Sequence, residues 1–225
     1  MKRGVVFDLD GVLVMSEHLW EEAWTAYAGR HGRIWTAGDT KACQGMSVPE
    51  WSAYLAKRSS LDAERAAEAV IGHVVRAYRD GKVSLLDGAA RMVAAVAERV
   101  PIGLASSAPR EIIDTVMTTM GIGTFFSATV SSAEVARGKP SPDVYVEAIT
   151  RLRIEAAWSA AVEDSSNGVR AAAAAGLRVV AVAHDQYPIA ADALALVDSA
   201  HRTLGGVQDA LIRMLDNPAM EARPR

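Results

Sequence analysis

The stretch Gly4-Val5-Val6-Phe7-Asp8-Leu9-Asp10-Gly11 constrains this chain more than any other. Val5-Val6-Phe7 is a continuous apolar run, which suits a strand buried on both faces of a parallel sheet. Asp8 and Asp10 follow two apart, so on an extended chain both carboxylates point the same way. They meet at the strand's C-terminal end, where open α/β sheets bind ligands. Two crowded like charges are costly unless a cation or a shared proton relieves them. A plain Asp-Gly turn after a strand is the simpler reading of the same residues. The rest of the chain decides between the two.

At 225 residues, 50% hydrophobic and 23% charged, the chain has the composition of a soluble globular protein of one or two domains. Its 24 basic and 27 acidic residues leave a net charge of −3, which argues against a nucleic-acid or membrane surface. Cys43 is the single cysteine, so no intrachain disulfide forms and a reducing compartment fits. No run reaches the roughly 18 apolar residues of a membrane span. Met1-Lys2-Arg3 leads straight into the strand without a signal peptide. The expectation is a cytoplasmic protein, monomer or weak homodimer.

Between residues 15 and 85 apolar residues recur at helical spacing: Leu19, Ala23, Ala26 and Tyr27, then Trp51, Tyr54 and Leu55, then Ala66, Ala69, Val70, His73 and Val74. This predicts an all-helical insert of about four helices. Trp20, Trp24, Trp35 and Trp51 fall within it, and suit either a ligand-lining surface or the core of a small helical domain. Gly45-Met46-Ser47-Val48-Pro49 carries turn chemistry and suits a loop facing a ligand.

After Leu86 the α/β alternation returns. A helix over 89–99 leads to a strand over 101–105 that ends in Ser106 and Ser107. Pro109 suits the first turn of the next helix, over 111–120. Ser106 either caps that helix or places a hydroxyl beside free backbone N–H groups, a setting for phosphate. A short strand over 128–130 precedes Lys139, which lies in a loop between Gly138 and Pro140. Ser141 and Pro142 then read as N-cap and first residue of a helix over 144–152. A strand over 158–162 runs into Glu163 and Asp164, two acids at another strand end, and Ser165-Ser166 opens an alanine-rich helix. Strands over 178–183 and 195–197 and a helix over 207–215 complete the chain. The fold class expected is α/β: a Rossmann-like parallel sheet core of residues 1-14 and 86-225, with an all-helical cap domain inserted at 15-85.

The strand ends together supply Asp8, Asp10, Glu163 and Asp164 against one Lys139, a charge of −3 that would repel a phosphate dianion. One Mg²⁺ brings this to −1, and a proton on Asp10 brings it to zero. Oxygen ligands without His or extra Cys favour Mg²⁺ over zinc. The charge balance points to a magnesium site for phosphoryl transfer.

These residues resemble the haloacid dehalogenase-like hydrolase superfamily, in its branch of beta-phosphoglucomutase and small sugar-phosphate phosphatases. Phe7-Asp8-Leu9-Asp10-Gly11-Val12-Leu13-Val14 looks like the first motif and Ser106 in Ala105-Ser106-Ser107 like the second. Lys139 in Gly138-Lys139-Pro140 looks like the third and Glu163-Asp164-Ser165-Ser166-Asn167-Gly168 like the fourth. The resemblance implies that Asp8 is the nucleophile forming an aspartyl-phosphate and a Mg²⁺ ligand. It implies that Asp10 is the general acid and base and ligates through its backbone carbonyl. Ser106, Ser107 and Lys139 would hold the phosphoryl group, while Asp164 and Glu163 would ligate or support the metal. Trp20 and Gly45 would contact the substrate from the cap. Dehalogenases of the superfamily lack the second aspartate, so Asp10 points to phosphorus chemistry. Met15, Trp20 and Val48 stand where relatives carry an aspartate, a histidine and an arginine. The two cap departures favour a phosphatase of a small phosphorylated metabolite over a sugar phosphomutase. A catalytically silent phospho-ligand-binding protein is the other alternative.

Overall fold

The computed structural model describes residues 2–43, 46–59, 62–186 and 188–216. Six parallel strands form one sheet: β1 (Val5–Phe7), β2 (Ile102–Ser106), β3 (Phe126–Ser131), β4 (Ala160–Glu163), β5 (Arg178–Val182) and β6 (Ser199–His201). Their order is β3-β2-β1-β4-β5-β6. The chain starts at the sheet's centre, with β2 and β4 on either side of β1. That reversal of winding is the topological switch point, where such sheets open a crevice at the strands' carboxyl ends.

Burial on both faces explains the apolar strand sequences. Val5 and Phe7 pack into one hydrophobic cluster and Val6 into the other, as alternation along a strand requires. The first face is covered by α5 (Ala89–Ala97), α6 (Arg110–Thr119) and α10 (Leu204–Asp216). The second is covered by α7 (Asp143–Leu152), α8 (Ser166–Ala174) and the short α9 (Ala191–Leu194). The α/β class, the parallel sheet and the helical insert are therefore as the sequence implies.

Four helices lie between β1 and α5 among the described residues: α1 (Glu17–Arg30), α2 (Ala37–Cys43), α3 (Val48–Ser59) and α4 (Ala63–Arg79). α4 buries Ala66, Val70, Val74, Ala77 and Tyr78, a stripe at helical spacing, and Asp62 caps it by accepting from the Arg65 N–H. Trp24 and Trp51 are buried in the insert's core, and Trp20 and Trp35 pack against them half-buried. Packing is thus the main task of the tryptophans. The first hydrophobic cluster runs unbroken from this insert into the face lined by α5 and α6. None of the described helices is long and apolar enough to cross a membrane.

Three local readings change. Residues 195–197 are a turn after α9, and the sixth strand is Ser199–His201. Apolar Ala195-Leu196-Val197 mimics a strand because α9 and that turn pack on the second face. Pro109 and Pro142 each occupy the N-cap instead of the first helical position. Their fixed φ is as compatible with one as with the other.

Leu104, fully buried at the middle of β2, tests the core. Leu104→Ala is expected to destabilise the fold by about 2–5 kcal/mol in urea unfolding. A loss well under about 1 kcal/mol would show that the sheet is not packed as described.

Candidate active site

Asp8 follows β1 directly, its backbone N–H bonded to Val162 O at 3.0 Å. The register that pairs Phe7 with Val162 sets Asp8 beside Glu163 at the end of β4. Lys139 enters from the loop before α7. Its ammonium donates to Asp8 Oδ1 at 2.5 Å and to Glu163 Oε1 at 2.6 Å, and lies 5.1 Å from the centre of the Tyr145 ring. Glu163 has no exposed surface. Its Oε1 also accepts from the Tyr145 hydroxyl at 2.7 Å, and its Oε2 accepts from the backbone of Asp164 and Ser165 and from Ser165 Oγ, each at 3.1 Å. Two glycines make the space for these acids. A Cβ on Gly168 would lie 1.7 Å from Glu163 Oε1, and one on Gly11 would lie 1.9 Å from Asp164 Oδ2. Gly11 also holds a positive φ of 73°.

Asp10 sits at the start of a tight turn closed by Gly11 N–H to Val14 O at 2.7 Å and Leu13 N–H to Leu9 O at 2.8 Å. The turn brings Ser16, whose buried hydroxyl donates to the Asp10 carboxylate. Ser106 ends β2, fully buried, and its Oγ accepts from Ala108 N–H at 3.0 Å, which leaves the hydroxyl proton available to a ligand. Ser107 is exposed beside it. Asp8, Lys139, Glu163 and Asp164 therefore form one buried group, with Asp10 on the adjoining turn and Ser106 on the neighbouring strand. Trp20 belongs to α1, half-buried against Trp24 and Trp51 with ring centres 6.0 Å away in each case. Gly45 lies outside the described residues. A cavity of about 410 Å³ in the helical insert, between Ala28, Trp35 and Arg58, shares no residue with this group.

Residues 2–176 match the family haloacid dehalogenase-like hydrolase. The chain belongs to that family. It is 32% identical over 201 residues to validoxylamine A 7'-phosphate phosphatase of Streptomyces hygroscopicus subsp. limoneus, covering 84% of this chain and 91% of that one. It is 30% identical over 183 residues to hexitol phosphatase B of Escherichia coli K12, covering 79% and 82%. The solved structure of beta-phosphoglucomutase from Clostridium difficile superposes with a TM-score of 0.79 at 20% identity, covering 96% and 97%. The chain is thus a haloacid dehalogenase-like hydrolase of the branch that holds sugar-phosphate phosphatases and beta-phosphoglucomutase-like folds.

The donor set of this hydrolase fits a hard divalent cation. Asp8, Glu163 and Asp164 each offer a carboxylate oxygen, all within 4.8 Å of one another. Glu163 already accepts five hydrogen bonds, so Asp8 and Asp164 are the freer ligands. Burial pushes the Asp8 carboxyl up to about 8, with the charges of Glu163 and Asp10 adding to it and Lys139 opposing. Burial likewise pushes Asp10 to about 6 against the Ser16 hydrogen bond, and raises Asp164 well above the carboxylate range. Burial works against the Lys139 ammonium, but Asp8 and Glu163 outweigh it and keep it charged. The acids are short of positive charge.

Several contributors in this hydrolase had readable signals. Tyr145 lies on the apolar face of α7, where a buried phenol needs a partner for its hydroxyl. His184 follows β5 at the same edge of the sheet as the acids. Its Nε2 donates to the Gly11 carbonyl at 2.7 Å and lies 3.9 Å from Asp164 Oδ2. Strand-end position alone would have marked it. Ser16 had no such signal, because only the tight turn after Asp10 carries it back to that side chain.

The shifted acids set a pH dependence. Values above the ordinary carboxylate range, about 4, mean that the folded chain without metal holds these protons more tightly than the unfolded chain. That stabilisation is lost as pH rises toward about 8. A divalent cation displaces the protons, so the rise in Tm from a fixed excess of Mg²⁺ is expected to grow from about pH 5 to about pH 8. A thermal-shift series with an increment flat across this range would contradict the arrangement.

Proposed function

We propose that this hydrolase is a Mg²⁺-dependent phosphatase of a small sugar or polyol phosphate, working through an aspartyl-phosphate on Asp8. The observation that carries the reading is the Lys139 ammonium held at 2.5 Å from Asp8, with Asp10 two residues on. The similarity to a hexitol phosphatase and a validoxylamine A 7'-phosphate phosphatase supports the substrate class. Mg²⁺, held by Asp8 and Asp164 and supported by Glu163, would neutralise the acids and the phosphoryl oxygens.

Asp8 attacks phosphorus through a carboxylate oxygen and the ester oxygen leaves. Lys139 balances the negative charge on Asp8 and on the phosphoryl group, and the Ser106 hydroxyl donates to a phosphoryl oxygen. Asp10, pushed to about 6, carries a proton for part of the time near neutral pH and gives it to the leaving oxygen. As a carboxylate it then takes a proton from the water that hydrolyses the acyl phosphate. Ser16 orients it throughout. Residues 15–85 act as the cap and 1–14 with 86–225 as the core. The two linkers meet as a bridge between Val14 and Leu85, with Leu86 N–H on Leu13 O at 2.8 Å, so the cap turns about a short ladder.

Trp20 and Val48 offer no charge to a second phosphate, and this favours hydrolysis over mutase chemistry. On a panel of sugar and polyol phosphates, the protein with Mg²⁺ is expected to release phosphate without a bisphosphate activator, and chelation is expected to stop it. Asp8→Asn should keep its fold and lose turnover by at least about 10³-fold. Faster conversion of beta-glucose 1-phosphate to glucose 6-phosphate than release of phosphate, followed by phosphorus NMR, would make it a mutase. Near-normal turnover by Asp8→Asn would remove the nucleophile assignment.

A further inference from the structure

One half-buried acid beside the site has a shielded oxygen outside its hydrogen bonding. Glu17 is the first residue of α1, directly after Ser16, whose hydroxyl is on Asp10. Its Oε2 is shielded from solvent and has no hydrogen-bond partner among the described residues. It lies outside the group of Asp8, Glu163 and Asp164, whose oxygens lie close together. Following Ser16 directly, it lies beside the Asp10 turn, and its charge adds to burial in raising Asp10, Asp164 and the Tyr78 hydroxyl. A buried carboxylate oxygen without a donor is costly. The Lys139 ammonium is already shared by Asp8 and Glu163. A ligand hydroxyl entering from the sheet end would supply that donor.

Trp20 stands three residues further along α1, so it shares a face of the helix with Glu17. A carboxylate that accepts from hydroxyls, beside an indole that packs on a C–H face, is suited to a polyhydroxylated carbon skeleton. We propose that Glu17 is a specificity-determining residue that accepts a hydrogen bond from a hydroxyl of the substrate's leaving group. The proposal rests on the phosphatase reading above. It adds that the leaving group bears a hydroxyl within reach of the cap's first helical turn, and that Trp20 packs against its carbon face.

The test compares three esters in the protein with Mg²⁺: sorbitol 6-phosphate, rich in hydroxyls, glucosamine 6-phosphate, which adds an ammonium, and p-nitrophenyl phosphate, whose leaving group carries neither. Glu17→Ala is expected to lower kcat/KM for sorbitol 6-phosphate by about 10- to 100-fold, mainly through KM, and for p-nitrophenyl phosphate by no more than about 3-fold. Glu17→Gln keeps an acceptor oxygen and should fall between wild type and Glu17→Ala on the polyol ester. An equal loss on the sorbitol and p-nitrophenyl esters would assign Glu17 to the support of Asp10 and overturn the proposal, as would no loss on either. A selective loss confined to glucosamine 6-phosphate would make the donor an ammonium and overturn the hydroxyl assignment. Absence of wild-type turnover on every ester would instead remove the phosphatase reading, which the wild-type rates test separately.

Discussion

The site is organised around one ammonium between two carboxylates. Lys139 reaches Asp8 and Glu163 at hydrogen-bond distance inside the protein, where a lone carboxylate would be strongly disfavoured. Asp8 and Asp164 remain as acids that a single lysine does not neutralise. The parallel sheet creates this crowding, because adjacent strands deliver their C-terminal residues to one edge. A cation and a phosphoryl group are what such an edge is short of and suited to receive.

Holding the acids there takes more than charge. Glu163 is fixed by the Tyr145 hydroxyl, two backbone N–H groups and the Ser165 hydroxyl. Both oxygens thereby face donors that do not move with the substrate. Gly11 and Gly168 leave the volume that the Asp164 and Glu163 carboxylates fill. A methyl group in either place would displace an acid: Asp164 at Gly11, and at Gly168 Glu163, a partner of Lys139. The same turn that makes Gly11 necessary carries the chain through Ser16 and Glu17 into α1. The site and the helical insert therefore share one short connection, with the Ser16 hydroxyl on Asp10 just before α1 begins.

Much of this was legible in the sequence for a physical reason. A buried parallel strand needs an apolar run, and a charge placed just after it stands out, so Asp8, Asp10, Glu163 and Asp164 were readable from position alone. Periodicity near 3.6 separated the insert from the sheet core. The sixth strand was misplaced because Ala195-Leu196-Val197 is buried by turn and helix packing, and hydrophobicity does not distinguish that from a ladder. Tyr145 and His184 obeyed rules that were available, buried phenol and strand end. Ser16 and Glu17 depend on how sharply the chain turns after Gly11, and nothing in their own spacing records that turn. The mutual distances of Asp8, Glu163 and Asp164 likewise depend on strand order, which local pattern does not encode.

The proposed chemistry depends on transfer of the phosphoryl group to a carboxylate oxygen of Asp8. Its most direct measurement is rapid mixing of the Mg²⁺-loaded protein with a turned-over phosphate ester, followed by acid quench and peptide mass spectrometry. The expected result is a transient phosphoryl adduct on the peptide bearing Asp8, formed and lost at rates consistent with turnover and stable to acid as an acyl phosphate is. Phosphorylation on a histidine or serine peptide during turnover, or steady hydrolysis with no covalent adduct at any time point, would contradict it.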